Sequence, residues 1–110
     1  MMIQQQIRQK FRIPLRRAEL EVVRNFLLIY IGTREENMHI EELANVERCI
    51  KLGEKIQGKL FLGDFPSRYK LNLNVSEAAC LIAILDCLDE SYLGSLERSV
   101  RYRIYDIIMR

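Results

Sequence analysis

With 110 residues, 49% of them hydrophobic, the chain can bury one core and is too apolar to be disordered throughout. A formal net charge of +2 does not by itself announce a polyanion partner. Its distribution says more: Arg8, Lys10, Arg12, Arg16, Arg17 and Arg24 stand against Glu19 and Glu21, whereas Glu35, Glu36, Glu41, Glu42 and Glu47 then stand against Arg34 alone.

The first predicted element is "IRQKFRIPL", where Ile7, Phe11, Ile13 and Leu15 alternate with Arg8, Lys10 and Arg12. Period two means a half-buried strand, and Pro14, which lacks an amide hydrogen, marks its end or an edge. A helix follows over 16–31, with Val22, Val23, Phe26, Leu27, Tyr30 and Ile31 at helical spacing and Gly32 as its stop. Beyond the polar "GTREEN", a longer helix is predicted from Ile40, Leu43, Val46, Ile50, Ile56 and Leu60. "FLGDFPSR" (61–68) is a linker punctuated by Gly63 and Pro66.

The second strand is "YKLNLNV", with Tyr69, Leu71, Leu73 and Val75 inward and Lys70, Asn72 and Asn74 outward. Ser76 is the expected N-cap of the next helix, and Glu77 suits its positive end. That helix, to about Leu88, is apolar nearly all round and is expected to be the most buried element. After "DCLDES", a last helix from about Tyr92 to Met109 aligns Leu93, Leu96, Val100, Ile104 and Ile107.

Little else in the sequence carries chemistry. Cys80 and Cys87 are seven residues apart, which in a helix separates their Cα atoms by roughly 10 Å, beyond disulfide reach. Cys49 has no partner nearby in sequence, and all three cysteines read as small core residues in a reducing compartment. His39, the single histidine, has no Cys or His at metal spacing. Phosphate-binding loops and nucleophile motifs are absent from the sequence, so no cofactor and no enzymatic activity are expected. Without an apolar leader, and with no run near the roughly 20 residues that cross a bilayer, the protein is expected to be soluble and cytoplasmic, with no membrane partner.

The strand-to-helix joint occurs twice. At an offset of 58, Phe11, Ile13, Leu15, Glu19, Val23, Phe26 and Leu27 meet Tyr69, Leu71, Leu73, Glu77, Leu81, Ile84 and Leu85. At an offset of 50, "LANVERCIK" meets "LGSLERSVR". The expectation is an α+β, mainly helical single domain, 1–110, made of two β-α-α repeats (7–60 and 69–110) joined by the linker 61–68. Neither repeat can bury its helices and strand alone, so the strands should pair as an antiparallel two-stranded ribbon covered by four helices.

Carried by "YKLNLNVSEAACLIAILDCLDESYLGSLERSVRYRIYDII", this plan resembles the ribbon-helix-helix family of DNA-binding proteins, here as two units fused in tandem. The resemblance implies a ribbon lying in the major groove, with outward residues on base edges. On this chain those are Arg8, Lys10 and Arg12 on one strand and Lys70, Asn72 and Asn74 on the other. Arginine and lysine donate to guanine, and asparagine pairs with adenine. Phosphates would sit at helix starts near Ser91, Ser95 and Asn37, with Arg16 and Arg17 as backbone contacts beyond the strand. Duplex DNA is then the implied partner and transcriptional regulation the implied role. The acidic "REEN" and Asp89–Glu90 depart from the family pattern. They keep open a protein-interaction or assembly module without nucleic-acid contact, using "NFLLIYI" or the Tyr/Arg-rich last helix.

Overall fold

A computed structural model describes residues 9–32, 40–61 and 68–110. The two alternating segments form strands β1 (Lys10–Leu15) and β2 (Tyr69–Asn74), paired antiparallel. Helices α1 (Arg17–Gly32) and α2 (Ile40–Phe61) follow β1, and α3 (Val75–Cys87) and α4 (Ser95–Ile108) follow β2. The fold is α+β and mainly helical: a two-stranded ribbon with four helices among the described residues.

Register ties the halves together. Ile13 stands opposite Leu71, its own counterpart at the 58-residue offset, so a pseudo-two-fold passes between them. The pair Phe11–Leu73 is then the mate of Tyr69–Leu15, and Arg12–Asn72 the mate of Lys70–Pro14. Ile13, Leu15, Tyr69, Leu71 and Leu73 are buried, with Phe11 half-buried beside them. A one-residue slip would send all of them to solvent, which is why the pairing is specific.

The helices bury narrower faces than their composition suggests. From α1 come Leu20, Val23, Phe26, Leu27 and Tyr30, three or four residues apart. α3 touches α1, α2, α4 and both strands. It buries Ala78, Cys80, Leu81, Ile84 and Leu85 but leaves Ala79, Ala83, Asp86 and Cys87 exposed, so it is not covered on every side. Of that strip Asp86 accepts a hydrogen bond from Tyr105 of α4, and alanine makes the exposure of Ala79 and Ala83 cheap. Of the stripe expected for α2, Ile56 and Leu60 are buried and Val46 half-buried, whereas Ile40, Leu43 and Ile50 are exposed and Cys49 and Leu52 face the core in their place. α4 starts at Ser95, later than expected, since Glu90–Tyr92 form a separate 3-10 turn and Gly94 becomes the N-cap. Leu96 is consequently exposed, and Val100 and Ile104 carry its core contacts.

Burial also corrects the helix overlay. An offset of 50 matches exposed Ile50 to buried Val100. An offset of 48 instead matches Leu52 and Ile56 to Val100 and Ile104, all buried. Residue-by-residue likeness between amphipathic helices follows composition, whereas the inward face is set by angle.

The same offset of 48 relates Lys55 to Arg103, and these two cations make equivalent cross-half clamps. Arg103 of α4 pairs with Glu19 of α1 at 2.8 Å and donates to the Pro14 carbonyl at 3.4 Å. Lys55 of α2 pairs with Glu77 of α3 at 3.4 Å and donates to the Asn72 carbonyl. Glu19 and Glu77 are counterparts at the 58-residue offset, and so are Pro14 and Asn72. Each half thus supplies the cation that closes the other half's strand-to-helix joint. The clamps differ in depth: the Glu19 side chain is 7% exposed and that of Glu77 23%. Burial pushes the Glu19 carboxyl up, but the Arg16 amide at 2.8 Å and the Arg103 guanidinium outweigh it and hold the group below its usual value.

Two expectations follow. Leu85→Ala should cost about 2–5 kcal/mol in urea melts, against less than about 0.5 kcal/mol for exposed Lys70→Ala; equal losses would mean inner and outer faces are exchanged. Arg103→Met should cost about 1–3 kcal/mol at neutral pH, because it strands a buried carboxylate. A lowered carboxyl pKa stabilises the fold above the free value of 4.5, and that contribution fades as pH falls through the folded value. The urea midpoints of wild type and Arg103→Met should therefore converge in acid; a constant gap would assign Arg103 to packing alone.

Candidate nucleic-acid interface

Because the ribbon buries one face, alternation forces Lys10, Arg12 and Pro14 of β1 and Lys70, Asn72 and Asn74 of β2 onto the other. All six are exposed. The register sets Lys10 across from Asn74, Arg12 across from Asn72, and Pro14 across from Lys70. Each cation of β1 therefore faces an amide of β2, and Lys70 of β2 faces Pro14. Arg8 lies outside the described residues, as do Asn37 and His39.

The expected site residues divide into two groups. Lys10, Arg12, Lys70 and Arg16 are exposed, and among the described residues no carboxylate lies within ion-pair distance of them. Asn72 uses its backbone carbonyl for Lys55 and keeps its side chain on the outer face. Asn74 is partly committed. It, and not Ser76, caps α3: its Oδ1 accepts from the Glu77 amide at 2.8 Å, and its own amide donates to Glu77 Oε1 at 2.9 Å. The strand ends one residue earlier than expected, and that moves the reciprocal capping box back to Asn74–Glu77. Arg17 is committed to the fold: its guanidinium donates to the Leu60 carbonyl at 3.2 Å and to the Tyr69 hydroxyl at 3.0 Å, and lies 3.5 Å from Glu21.

Of the expected phosphate positions, Ser91 is occupied by its neighbour. Asp89 accepts from the Ser91 amide at 3.0 Å and from its hydroxyl at 2.7 Å, and these bonds hold the Asp89 carboxyl below its usual value. Ser95 is different. It opens α4 behind Gly94, which offers no side-chain cap, so the first amides of α4 lack that partner.

Sequence reasoning missed two arginines here. Arg68, assigned to the linker, is the counterpart of Lys10 at the 58-residue offset and sits at the opposite end of the ribbon. Arg103 lies far away in sequence and is delivered by α4. Together with Arg16 they line a hollow of about 360 Å³ beside Pro14 and Leu96, where the first turn of α4 meets the ribbon's end. The offset of 58 was the available signal for Arg68; nothing local signals Arg103.

Among the described residues no group of His, Cys, Asp or Glu could hold a metal ion, and no helix is long and apolar enough to cross a membrane. Comparison of the chain with protein-family models, with curated proteins and with solved structures gives no match.

The capping assignment has a direct check. Asn74→Ala should lower stability by about 1 kcal/mol, whereas Ser76→Ala should stay within about 0.5 kcal/mol of wild type. Chemical denaturation of both variants distinguishes the two capping schemes, and a reversed order would return the cap to Ser76.

Proposed function

We propose that the protein is a ribbon-type DNA-binding protein, acting as a regulator of transcription, with the outer face of β1 and β2 read into the major groove. The observation that carries this reading is the register, which brings Arg12 and Lys70 to two-fold-related positions on one uncovered face with Asn72 between them. Two strands about 4.8 Å apart and about 20 Å long fit a groove about 12 Å wide. Outward arginine, lysine and asparagine supply the donors and acceptors that distinguish guanine and adenine edges. Arg16 and Arg68, in the hollow where the first turn of α4 meets the ribbon's end, suit a phosphate there. The plan resembles that of ribbon-helix-helix proteins, with both protomers in one chain.

A different observation favours a second reading, a non-enzymatic protein-interaction module. Leu28 and Ile29 of "NFLLIYI" are 59% and 52% exposed, and Ile50 of α2, which lines one groove with Leu28, is 44% exposed. Such an apolar face costs solubility unless something covers it.

Mobility shifts on duplex DNA at two salt concentrations separate the readings. In the first, Arg12→Ala and Asn72→Ala each lower affinity for a preferred site about five- to a hundred-fold, the equivalent of roughly 1–3 kcal/mol per base contact. Arg16→Ala and Arg68→Ala weaken all sequences alike and reduce the salt slope by about one unit each. Wild-type protein without salt-sensitive binding at micromolar concentration would overturn the DNA reading and leave the ribbon as scaffold.

A further inference from the structure

Cys49 on α2 and Cys80 on α3 are far apart in sequence and belong to different halves, yet their sulfurs lie 3.3 Å apart. Both residues are buried, whereas Cys87, two turns further along α3, is exposed. We propose that Cys49 and Cys80 form a redox modification site, at which a small peroxide converts the two thiols to a disulfide joining α2 to α3.

The geometry needs little change. A disulfide bond is about 2.05 Å long, so the sulfurs must approach by about 1.2 Å, a distance that small rotations about both Cα–Cβ bonds supply. The oxidant has to reach a buried sulfur, since Cys49 is 0% exposed, and the nearest opening lies beside that residue. A groove of about 440 Å³ between α1 and α2 is lined by Leu27, Leu28, Ile31, Ile50 and Gly53 together with Arg24, Glu54 and Gln57, and Cys49 is among its bordering residues. Gly53 has nothing within 4 Å of where a side chain would begin, so the groove stays open at that turn. Such mainly apolar walls suit a small neutral oxidant better than a large charged one.

In the first step the Cys49 sulfur attacks one peroxide oxygen. The O–O bond breaks, and the departing hydroxide takes the thiol proton as water, leaving Cys49 as a sulfenic acid. The Cys80 sulfur then attacks the Cys49 sulfur, the S–O bond breaks, and hydroxide leaves with the Cys80 proton as a second water. Two thiols lose two electrons and two protons, and one peroxide is reduced to two waters. Cys80 suits the second attack. Its sulfur already lies 3.3 Å from that of Cys49; in the reduced pair the hydrogen bond from Cys49 lowers its thiol pKa despite burial, with Arg48 assisting and Glu77 opposing.

The full-length Cys87→Ser variant, treated with hydrogen peroxide and digested without reduction, tests the proposal. Expected are an intact mass lower by two hydrogens, a peptide joining Cys49 to Cys80, and loss of both alkylatable thiols on unfolding. The closed loop should raise the melting temperature by about 10 °C, reversibly with dithiothreitol. Cys49→Ala and Cys80→Ala, each in the Cys87→Ser background, should lose the cross-link and the shift together. Added oxygen mass without a cross-link, disulfide-linked dimers of the single-thiol kind, or unreacted thiols would each overturn it.

Discussion

Pairing of β1 with β2 is the constraint on which the rest depends. Among the described residues each strand has its only strand partner in the other half of the chain, across more than fifty intervening residues. A lone strand leaves its amides and carbonyls unpaired and its apolar face wet, so neither half is self-sufficient. Once the register is set by Ile13 against Leu71, the inner face is one continuous apolar strip, and α1 and α3 close over it through Leu20, Val23, Leu81 and Leu85. The halves therefore share one core as the two protomers of a symmetric dimer would.

Polar contacts repeat that symmetry at the surface of the core. Arg103 on Glu19 and Lys55 on Glu77 each cross from one half to the other, and each touches both a helix-capping carboxylate and a strand carbonyl. The more buried pair uses arginine, whose guanidinium is more weakly hydrated than an ammonium and so easier to bring to a buried carboxylate. The more exposed pair uses lysine, where screening by water makes the geometry matter less. Symmetry of position is kept while the chemistry has diverged with depth.

Divergence also shapes the ribbon's outer face. Its two-fold relates Arg12 to Lys70, but Lys10 to Arg68, and Asn74 to Arg16. Positive charge consequently gathers at the Pro14 end, where Arg16 and Arg68 join the hollow that Arg103 borders. The Lys10 end carries Asn74, whose side chain already caps α3. An outer face of this kind presents two different ends to whatever it meets, which a strict homodimer cannot do.

The sequence by itself located the two strands and the helices that follow them. Period-two alternation identified both strands and sorted inward from outward residues, and the repeated strand-to-helix joint implied an antiparallel ribbon. These patterns are local, and burial of one face makes them legible. Tertiary structure alone decided which helix faces were covered. Ile50 and Leu43 match the core pattern as well as Leu52 does, but α2 leans on its neighbours at a different angle. It also decided which charges remain available. Arg17 and Arg16 are adjacent and alike in sequence, yet one is spent on Leu60 and Tyr69 and the other is exposed. Cys49 and Cys80 meet for the same reason. Proximity across many residues is set by how helices pack on the ribbon, and no spacing along the chain encodes it.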